Sequence, residues 1–471
     1  MNARGITAGC APGSGRIPGS GADGNSYAGR SSRPWPALWA CVVACLSGCL
    51  GGARAAETEL SPANVATLRS VTEAAIAPDG GKIAYLTSKP RKPGVDEDGE
   101  AWSELWIWDA RTGRSRPFVG GKVTVEKPGW TPDGAHVVFL AKRGDDKTKS
   151  VYWIPVDGGE ARVAAALESD IGNYSLSGDG SRMAVLATEP ENAAAKKLKD
   201  QGFKQEIFEE DSRRTRVWVV KPFETDAKAA VPLAVTGSVR QVRWHPTSDR
   251  LALSVTPTPS VDDGLMRQRI VIVDVATGSE VASVDHAGKL ERMEWSPDGA
   301  HLAFVGGEDI HDPSAGRLWV VTADGGKPRD LMPGLAADAA GFAWRDKERL
   351  WVLLAEGVRT SVREVGLAGS PAPAWIALAG GPIGTSIAVA PRSGDMVLVG
   401  STPFHPAELF ARAADGTWQR RTDSNPWLAG VRWAKQETVR HRAKDGLELE
   451  GILIRPLQEE PGKRVPLILS V

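Results

Sequence analysis

One short phrase recurs along this chain and constrains its fold more than any other feature. The clearest copy is WSPDG at residues 295–299, and the strand-like run HLAFV follows it at residues 301–305. Close copies occur at residues 130–134 (WTPDG) and 77–80 (APDG), and each precedes a similar apolar run. A phrase repeated every few tens of residues indicates one supersecondary unit that recurs along the chain.

Weaker copies of the phrase complete the series. The proline of the phrase, or the residue equivalent to it, lies at positions 78, 132, 178, 246, 297, 346 and 391, which gives steps of 54, 46, 68, 51, 49 and 45 residues. A spacing near 50 residues is typical of one four-stranded antiparallel blade. The seven copies therefore predict an all-β fold, a seven-bladed β-propeller over residues 56–432.

The residue types of the phrase have a structural explanation. Proline presets the backbone for a tight turn, aspartate tolerates the next position, and glycine accepts the positive φ that closes the turn. We therefore assign the aspartates of these turns to turn formation and not to catalysis or metal binding. Most of the 17 Trp residues lie within the repeats, and we expect them in the cores of the blades.

Composition excludes several classes of function. The chain has 57 basic and 58 acidic side chains and a net charge of −1, which provides no basic surface for nucleic acid. All four cysteines lie in the first 49 residues, so no cysteine metal site is expected in the propeller. We predict no metal and no cofactor.

The first 55 residues have the pattern of a targeting segment. Arg30 and Arg33 precede a short apolar run at residues 35–46, as in a signal peptide. Residues 53–55 (ARA) form a small-x-small cleavage site, whereas residues 46–49 (LSGC) resemble a bacterial lipobox that would make Cys49 a lipidated N-terminus. Both readings predict export to the periplasm or medium. In the remaining alternative, residues 1–34 follow a wrongly assigned start codon.

An insertion explains the long step of 68 residues. It covers about residues 190–216 and contains a helix-forming run at 193–199, followed by Glu206, Glu209 and Glu210. If this second segment is helical, the three carboxylates share one face and form a candidate site for a substrate ammonium group. The alternative is a solvated run of compensating charges.

The repeat pattern stops after about Trp433. Residues 437–443 and 447–456 predict a hairpin around the tight turn KDG at 444–446. The chain then ends in the apolar run VPLILSV at 465–471, which predicts a strand buried on both faces, as in an α/β sheet. A buried strand needs neighbouring strands and helices, so we interpret residues 433–471 as the start of a second, truncated domain.

Taken together, these features resemble the prolyl oligopeptidase family of serine peptidases, and within it the bacterial dipeptidyl-peptidase and acylaminoacyl-peptidase-like branch. The resemblance rests on the repeats, on NPWL at residues 425–428, on KDGLELEGIL at 444–453 and on RVPLI at 464–468. It implies that residues 433–471 begin an α/β-hydrolase domain, that short peptides are the substrates, and that the propeller gates access to them. In some members propeller glutamates hold the amino terminus of the peptide, a role that Glu209 and Glu210 could match.

The chain lacks two motifs that the resemblance leads us to expect. The family's His-Gly-Gly segment and Gly-x-Ser-x-Gly nucleophile elbow are both missing, and Ser470 does not lie at an elbow. We therefore assign no catalytic residue and expect residues 1–471 to be inactive alone. The main alternative is a TolB-like periplasmic propeller that acts as an interaction module, because such propellers share the repeated phrase. A WD-repeat scaffold fits less well, since the WD dipeptide occurs only at Trp108-Asp109.

Overall fold

The computed structural model describes residues 59–205, 212–223, 231–286, 288–311, 314–368, 375–377, 381–413 and 416–470. Cys49, Glu209 and Glu210 lie outside these ranges. The described residues belong to one compact unit, Ala56–Val471. No helix in them is long and apolar enough to cross a bilayer.

Seven antiparallel sheets follow one another along the chain, each made of consecutive strands. Blades 1 to 4 contain strands β1 to β15: Val71–Ile76, Lys82–Lys89, Trp102–Asp109, Arg114–Val119, Val125–Trp130, His136–Ala141, Ser150–Pro155, Arg162–Ala165, Ile171–Leu176, Met183–Thr188, Thr215–Val220, Ser238–Trp244, Arg250–Thr256, Arg269–Asp274 and Glu280–Ser283. Blades 5 to 7 contain strands β16 to β27: Leu290–Trp295, His301–Gly306, Arg317–Thr322, Arg329–Asp330, Asp338–Trp344, Arg349–Glu356, Arg359–Gly366, Trp375–Ala377, Ile383–Val389, Met396–Thr402, His405–Arg412 and Trp418–Arg420. The prediction of a seven-bladed β-propeller is confirmed.

Short helices and one hairpin complete the structure. The helices among the described residues are α1 (Pro62–Val65), α2 (Ala193–Asp200), α3 (Val261–Met266) and a 3₁₀ helix at Pro426–Gly430. Strands β28 (Gln436–Arg442) and β29 (Glu448–Ile454) form the predicted two-stranded hairpin. Blade 3 has three described strands, and an isolated bridge between Trp218 and Pro232 stands where a fourth strand would pair.

The turn of the repeated phrase is held by a hydrogen-bond network that recurs in blades 2, 3 and 5. In blade 5, Ser296 Oγ donates to Asp298 Oδ1 over 2.6 Å, and the His301 N–H donates to Ser296 Oγ over 3.0 Å. The hydroxyl hydrogen bond from Ser296 lowers the pKa of Asp298 below its usual value. Gly299 has a φ of 75°, which only glycine adopts without strain. These aspartates therefore have the structural role that the sequence predicts.

The tryptophan of the phrase joins neighbouring blades. The indole Nε1–H of Trp130 donates to the Ala75 carbonyl over 2.9 Å, that of Trp295 to Arg243 over 3.2 Å, and that of Trp344 to Glu294 over 3.1 Å. In each case the acceptor lies on the first strand of the preceding blade. The indole thus packs in the core between two blades and also satisfies a backbone carbonyl near the propeller axis.

The ring closes between blades 7 and 1 without a shared sheet, because no described strand of blade 7 pairs with one of blade 1. An apolar cluster that includes Ile83 and Val399 fills the interface. Asn425, which is 1% exposed, adds a double hydrogen bond to the segment before β1. Its Oδ1 accepts from the Arg69 N–H over 2.9 Å and its Nδ2 donates to the Arg69 carbonyl over 2.7 Å.

Two predictions about local structure are wrong. Ser61 as a cap and Pro62 at the first helical position predict a short helix through about Arg69, but α1, which does begin at Pro62 with Ser61 as its cap, ends at Val65. The Asn425 contact holds Arg69 in place and fixes the path of the chain there. Residues 463–470 form no strand, and Ile468 is 91% exposed. A strand needs a neighbour for its backbone groups, and no described strand lies beside this segment.

Candidate functional site

One face of the propeller is formed by the connections between the second and third strands of the blades. In blades 1 to 5 these connections are long: residues 90–101, 142–149, 189–214, 257–268 and 307–316. In blades 6 and 7 they shrink to two residues each, 357–358 and 403–404. We call this surface the connection face. Its asymmetry leaves a low sector over blades 6 and 7.

The β28–β29 hairpin lies against this low sector. The Glu450 carboxylate accepts a hydrogen bond of 3.4 Å from the Val358 N–H, and Gln436 Nε2 donates to the Pro403 carbonyl over 3.1 Å. A Cβ atom at Gly357 would lie 2.4 Å from Glu450 Oε2, so only glycine permits this close approach. The hairpin therefore lies on the connection face, next to the shortest connections.

Arg440 fixes the carboxylate that makes this contact. Its Nε and Nη2 atoms donate to Glu450 Oε1 over 3.1 and 3.0 Å. The hydrogen bond from Arg440 lowers the pKa of Glu450 below its usual value. The side chains beyond this contact are uncovered, since Ile452 is 56% exposed and Ile454 is 62% exposed. Exposed apolar side chains on a strand are typical of a surface that another part of a protein covers.

A second group of side chains lies at the propeller axis. The first strands of most neighbouring blades contact one another, which places them around this axis. They carry a set of charged and polar residues that we call the axial cluster: Glu73, Lys127, Tyr174, Arg243, Arg292 and Glu294. Five blades contribute to it, blades 1 to 5.

Blades 4 and 5 meet in the axial cluster through a shared carboxylate. Arg243 Nε donates to Glu294 Oε1 over 2.8 Å, and Arg292 Nη2 lies 3.6 Å from the same oxygen. Burial and the charge of Arg243 lower the pKa of Arg292, while Glu294 and Glu73 oppose this effect. The Arg292 guanidinium also lies over the Phe342 ring, with 5.7 Å between Cζ and the ring centroid.

The other side of the axial cluster depends on an irregular strand. The register of β5 shifts between Glu126 and Gly129, and Lys127 has a φ of 51°. The Tyr174 hydroxyl donates to the Lys127 carbonyl over 2.8 Å, and it would lie 2.7 Å from a Cβ atom at Gly129. Burial raises the pKa of Glu73, while the charges of Lys127 and Arg292 act in the opposite direction.

The structure describes only some of the residues that the sequence singles out. Glu209 and Glu210 lie outside the described residues, although the helix expected before them is present as α2. His245 lies in a copy of the repeated phrase, which favours a structural role, and its ring bonds to backbone groups: Nε2 donates to the Gly299 carbonyl over 3.0 Å and Nδ1 accepts from the Thr247 N–H over 3.2 Å. Within the described ranges no three His, Cys, Asp or Glu side chains converge as a metal site requires.

Sequence reasoning missed the axial cluster entirely. Its members lie just before the repeated phrase, on strands whose alternation resembles that of any half-buried strand. One signal was present: a charged residue directly precedes the tryptophan in Arg243-Trp244 and in Glu294-Trp295. Only the ring of blades shows that these positions meet at one axis.

Comparison with known proteins gives one sequence relative and several structural ones. No protein-family model matches the chain. Over 126 residues, 26% of this chain, it is 29% identical to the uncharacterized peptidase YuxL of Bacillus subtilis, and the match covers 18% of that protein.

The structural relatives extend the likeness to most of the chain. An acylaminoacyl peptidase in complex with Z-Gly-Gly-Phe-chloromethyl ketone matches with a TM-score of 0.65 and 15% identity, over 87% of this chain and 61% of that one. A puromycin-hydrolyzing peptidase of Mycobacterium tuberculosis matches with a TM-score of 0.61 and 15% identity, over 86% of this chain and 61% of that one. The β-propeller domain of the Trilobed protease from Pyrococcus furiosus matches with a TM-score of 0.52 and 14% identity, over 76% of this chain and 99% of that domain.

The chain thus spans about three fifths of the length of the two peptidase structures, 61% of each. Its relatives are peptidases, in sequence over one quarter of the chain and in fold over most of it. These findings agree with the resemblance to the prolyl oligopeptidase family, and the fold of this chain matches the propeller part of those peptidase structures.

Proposed function

We propose that this chain is the propeller part of an exported serine peptidase of the prolyl oligopeptidase family, and that it gates the access of short peptides to an α/β-hydrolase domain. The observation that carries the proposal is the hairpin, which lies on the connection face and presents uncovered Ile452 and Ile454. A hydrolase domain that follows the hairpin in sequence would cover these side chains. By this account the catalytic Ser, His and Asp belong to that domain, and residues 1–471 alone have no peptidase activity.

The test uses the product of the reading frame continued past Val471. We expect about 200–250 further residues with His-Gly-Gly and Gly-x-Ser-x-Gly segments, as the nucleophile elbow of such hydrolases requires. That product should hydrolyse short peptides and should be labelled by Z-Gly-Gly-Phe-chloromethyl ketone, whereas the 471-residue chain should do neither. A reading frame that stops shortly after Val471 in an intact gene would favour the TolB-like interaction module instead.

The gating role includes an anchor for the peptide amino terminus at Glu209 and Glu210. The described part of the insertion supports it, because α2 lies in the connection between the second and third strands of blade 3, on the connection face. In the longer product, Glu209→Ala with Glu210→Ala should lower kcat/KM more for free-amine peptides than for N-blocked ones. The matched control is Glu348→Ala, an exposed glutamate between two strands of blade 6. An equal fall for both substrates would exclude the anchor.

Export is part of the same proposal and has its own test. Mass spectrometry of the mature protein should show an N-terminus at Ala56 if cleavage follows residues 53–55, or a lipidated Cys49 if the lipobox is used. The propeller as described begins after both positions, so either product retains all seven blades. Recovery of an uncleaved chain in the cytoplasm would contradict export.

A further inference from the structure

The axial cluster holds more positive than negative charge. Among the side chains that the structure describes, Arg243, Arg292 and Lys127 face two carboxylates within the cluster, Glu73 and Glu294. The nearby pair of Lys149 and Glu126 does not change this balance, because Lys149 Nζ contacts both oxygens of Glu126 at 2.9 and 2.8 Å. One further anion at the axis would neutralise the cluster.

Within the axial cluster, Arg292 has hydrogen-bond donors that the protein leaves unpaired. Its closest carboxylate oxygen is 3.6 Å away, and that oxygen already accepts a hydrogen bond of 2.8 Å from Arg243. The Nε atom of Arg292 is buried and has no hydrogen-bond partner. A guanidinium is built for paired hydrogen bonds to a planar carboxylate, and the contacts within the protein leave this capacity unused.

The site is also accessible and pre-organised. The side chains of Arg292 and Arg243 remain 37% and 25% exposed although they lie on the first strands of their blades. Phe342, which is fully buried, supports the Arg292 guanidinium from blade 6. The indoles of Trp295 and Trp344 fix the backbone at Arg243 and at Glu294. A ligand would therefore find both guanidinium groups already in position.

We infer that Arg243 and Arg292 form a carboxylate-binding subsite at the propeller axis, which takes a carboxylate of a peptide. The identity of the ligand as a peptide rests on the proposed function; the preference for a carboxylate rests on the cluster alone. Two sources share this chemistry, the C-terminus of a peptide and an acidic side chain. If the ligand is the C-terminus, the subsite recognises the end of a peptide opposite to the one that Glu209 and Glu210 would hold.

The test is equilibrium binding to the 471-residue chain by calorimetry at pH 7, which needs no catalysis. The probes are acetyl-Ala-Ala-Ala with a free carboxylate, the same peptide as an amide, and acetyl-Ala-Asp-Ala-amide. We expect the free acid to bind at least about tenfold more tightly than the amide, since charge-assisted pairs with arginine are the strong ones. Tight binding of the Asp peptide would place side-chain carboxylates in the subsite as well. Equal binding of all three peptides, or no binding, would overturn the inference.

Single substitutions test whether Arg243 and Arg292 cause the preference for the free acid. Arg292→Gln and Arg243→Gln should each remove the preference for the free acid, and Arg292→Lys should retain part of it by keeping the charge without the paired geometry. The matched control is Arg269→Gln, which removes an exposed arginine paired with Glu280 away from the axis and should leave the preference intact. Circular dichroism checks folding, and Arg292→Lys serves if the glutamine variant does not fold. An unchanged preference in a folded Arg292→Gln chain would contradict the subsite.

The two proposals fail separately. If the longer product is no peptidase but the free acid is preferred, the subsite stands and the proposed function falls. If the product cleaves peptides while the 471-residue chain does not discriminate acid from amide, only the subsite falls.

Discussion

The blades and the C-terminal hairpin are both antiparallel β-structure, but they differ in how their side chains are covered. In blade 5 the core residues Leu302 and Phe304 are 0% exposed, because the neighbouring blades cover both faces of the sheet. In the hairpin Ile452 and Ile454 are 56% and 62% exposed. An isolated two-stranded hairpin is at best marginally stable in water. The difference teaches that the blades cover one another's apolar side chains, whereas the hairpin leaves apolar side chains exposed that the proposed hydrolase domain would cover.

The largest expected loss of stability comes from a side chain in the core of a blade, compared with an exposed side chain of the hairpin. Phe304→Ala should destabilise the chain by about 3–5 kcal/mol, because it removes a fully buried aromatic ring and leaves a cavity between blades 4 and 5. Ile452→Ala, the matched change in the hairpin, should cost less than about 1 kcal/mol because that side chain is already hydrated. Urea unfolding followed by tryptophan fluorescence measures both. Equal losses would break the comparison.

The second effect tests the closure of the ring. Asn425→Ala should cost about 1–3 kcal/mol, because it leaves the Arg69 N–H and carbonyl without their partner in a buried position. Asn425→Asp should cost at least as much, since it keeps the acceptor for the N–H but sets a buried carboxylate oxygen against the Arg69 carbonyl, where the amide donates. Urea unfolding of the two variants gives the order. If Asn425→Ala were as stable as the wild type, the apolar interface of blades 7 and 1 would close the ring alone.

The third effect concerns a buried carboxylate in blade 7. Glu408 is 0% exposed and accepts hydrogen bonds from Thr422 Oγ1 over 2.5 Å and from the Ser424 N–H over 2.7 Å, yet burial raises its pKa above 4.5. A carboxyl with a raised pKa stabilises the fold below its unfolded pKa, and this contribution is lost as the pH rises through the folded pKa.

Glu408→Gln should remove that dependence on pH. We expect the wild type to lose stability relative to the variant as the pH rises above about 4.5, by at most about 1.4 kcal/mol per pH unit, until the pH exceeds the folded pKa of Glu408. Thermal unfolding between pH 4 and 7 gives the difference. A wild type that gains stability relative to Glu408→Gln over this range would show that the hydrogen bonds outweigh the burial.

The smallest effect comes from a turn of the repeated phrase. The Ser177 hydroxyl and the Ser181 N–H donate to Asp179 and lower its pKa to about 2. A lowered pKa contributes stability above the unfolded value of 3.8, and this contribution disappears as the pH falls towards 2. Asp179→Asn should therefore lower the Tm at pH 5 by no more than about 2 °C and should match the wild type near pH 2. If the Tm values of the two proteins still differ near pH 2, the effect does not come from the ionisation of Asp179.

Much of the fold follows from the repeated phrase because the phrase combines turn chemistry with strand periodicity. Pro297, Asp298 and Gly299 define a turn, and the alternation after His301 defines the strand that leaves it. The hairpin was predictable for the same reason, with Gly446 at a φ of 91° in its turn. The strand expected at 465–471 was not, because a run of apolar residues becomes a strand only where a neighbour supplies its backbone partners.

The candidate site was less accessible to sequence reasoning. Arg243, Arg292 and Glu73 are far apart in the chain, and only the closure of the ring brings their strands to one axis. The low sector of the connection face depends on short connections in blades 6 and 7, which a search for chemical motifs passes over. Both features arise from the arrangement of the blades and not from any local motif.

The most direct test of the central claim is amide hydrogen exchange of residues 436–454. It should be measured in the 471-residue chain and in the longer product that carries the proposed hydrolase domain, with strand β17 (His301–Gly306) as the internal reference. We predict that the hairpin exchanges much faster than β17 in the shorter chain and is protected to a similar degree as β17 in the longer product. Equal exchange of the hairpin in both proteins would contradict the claim that a following domain completes it.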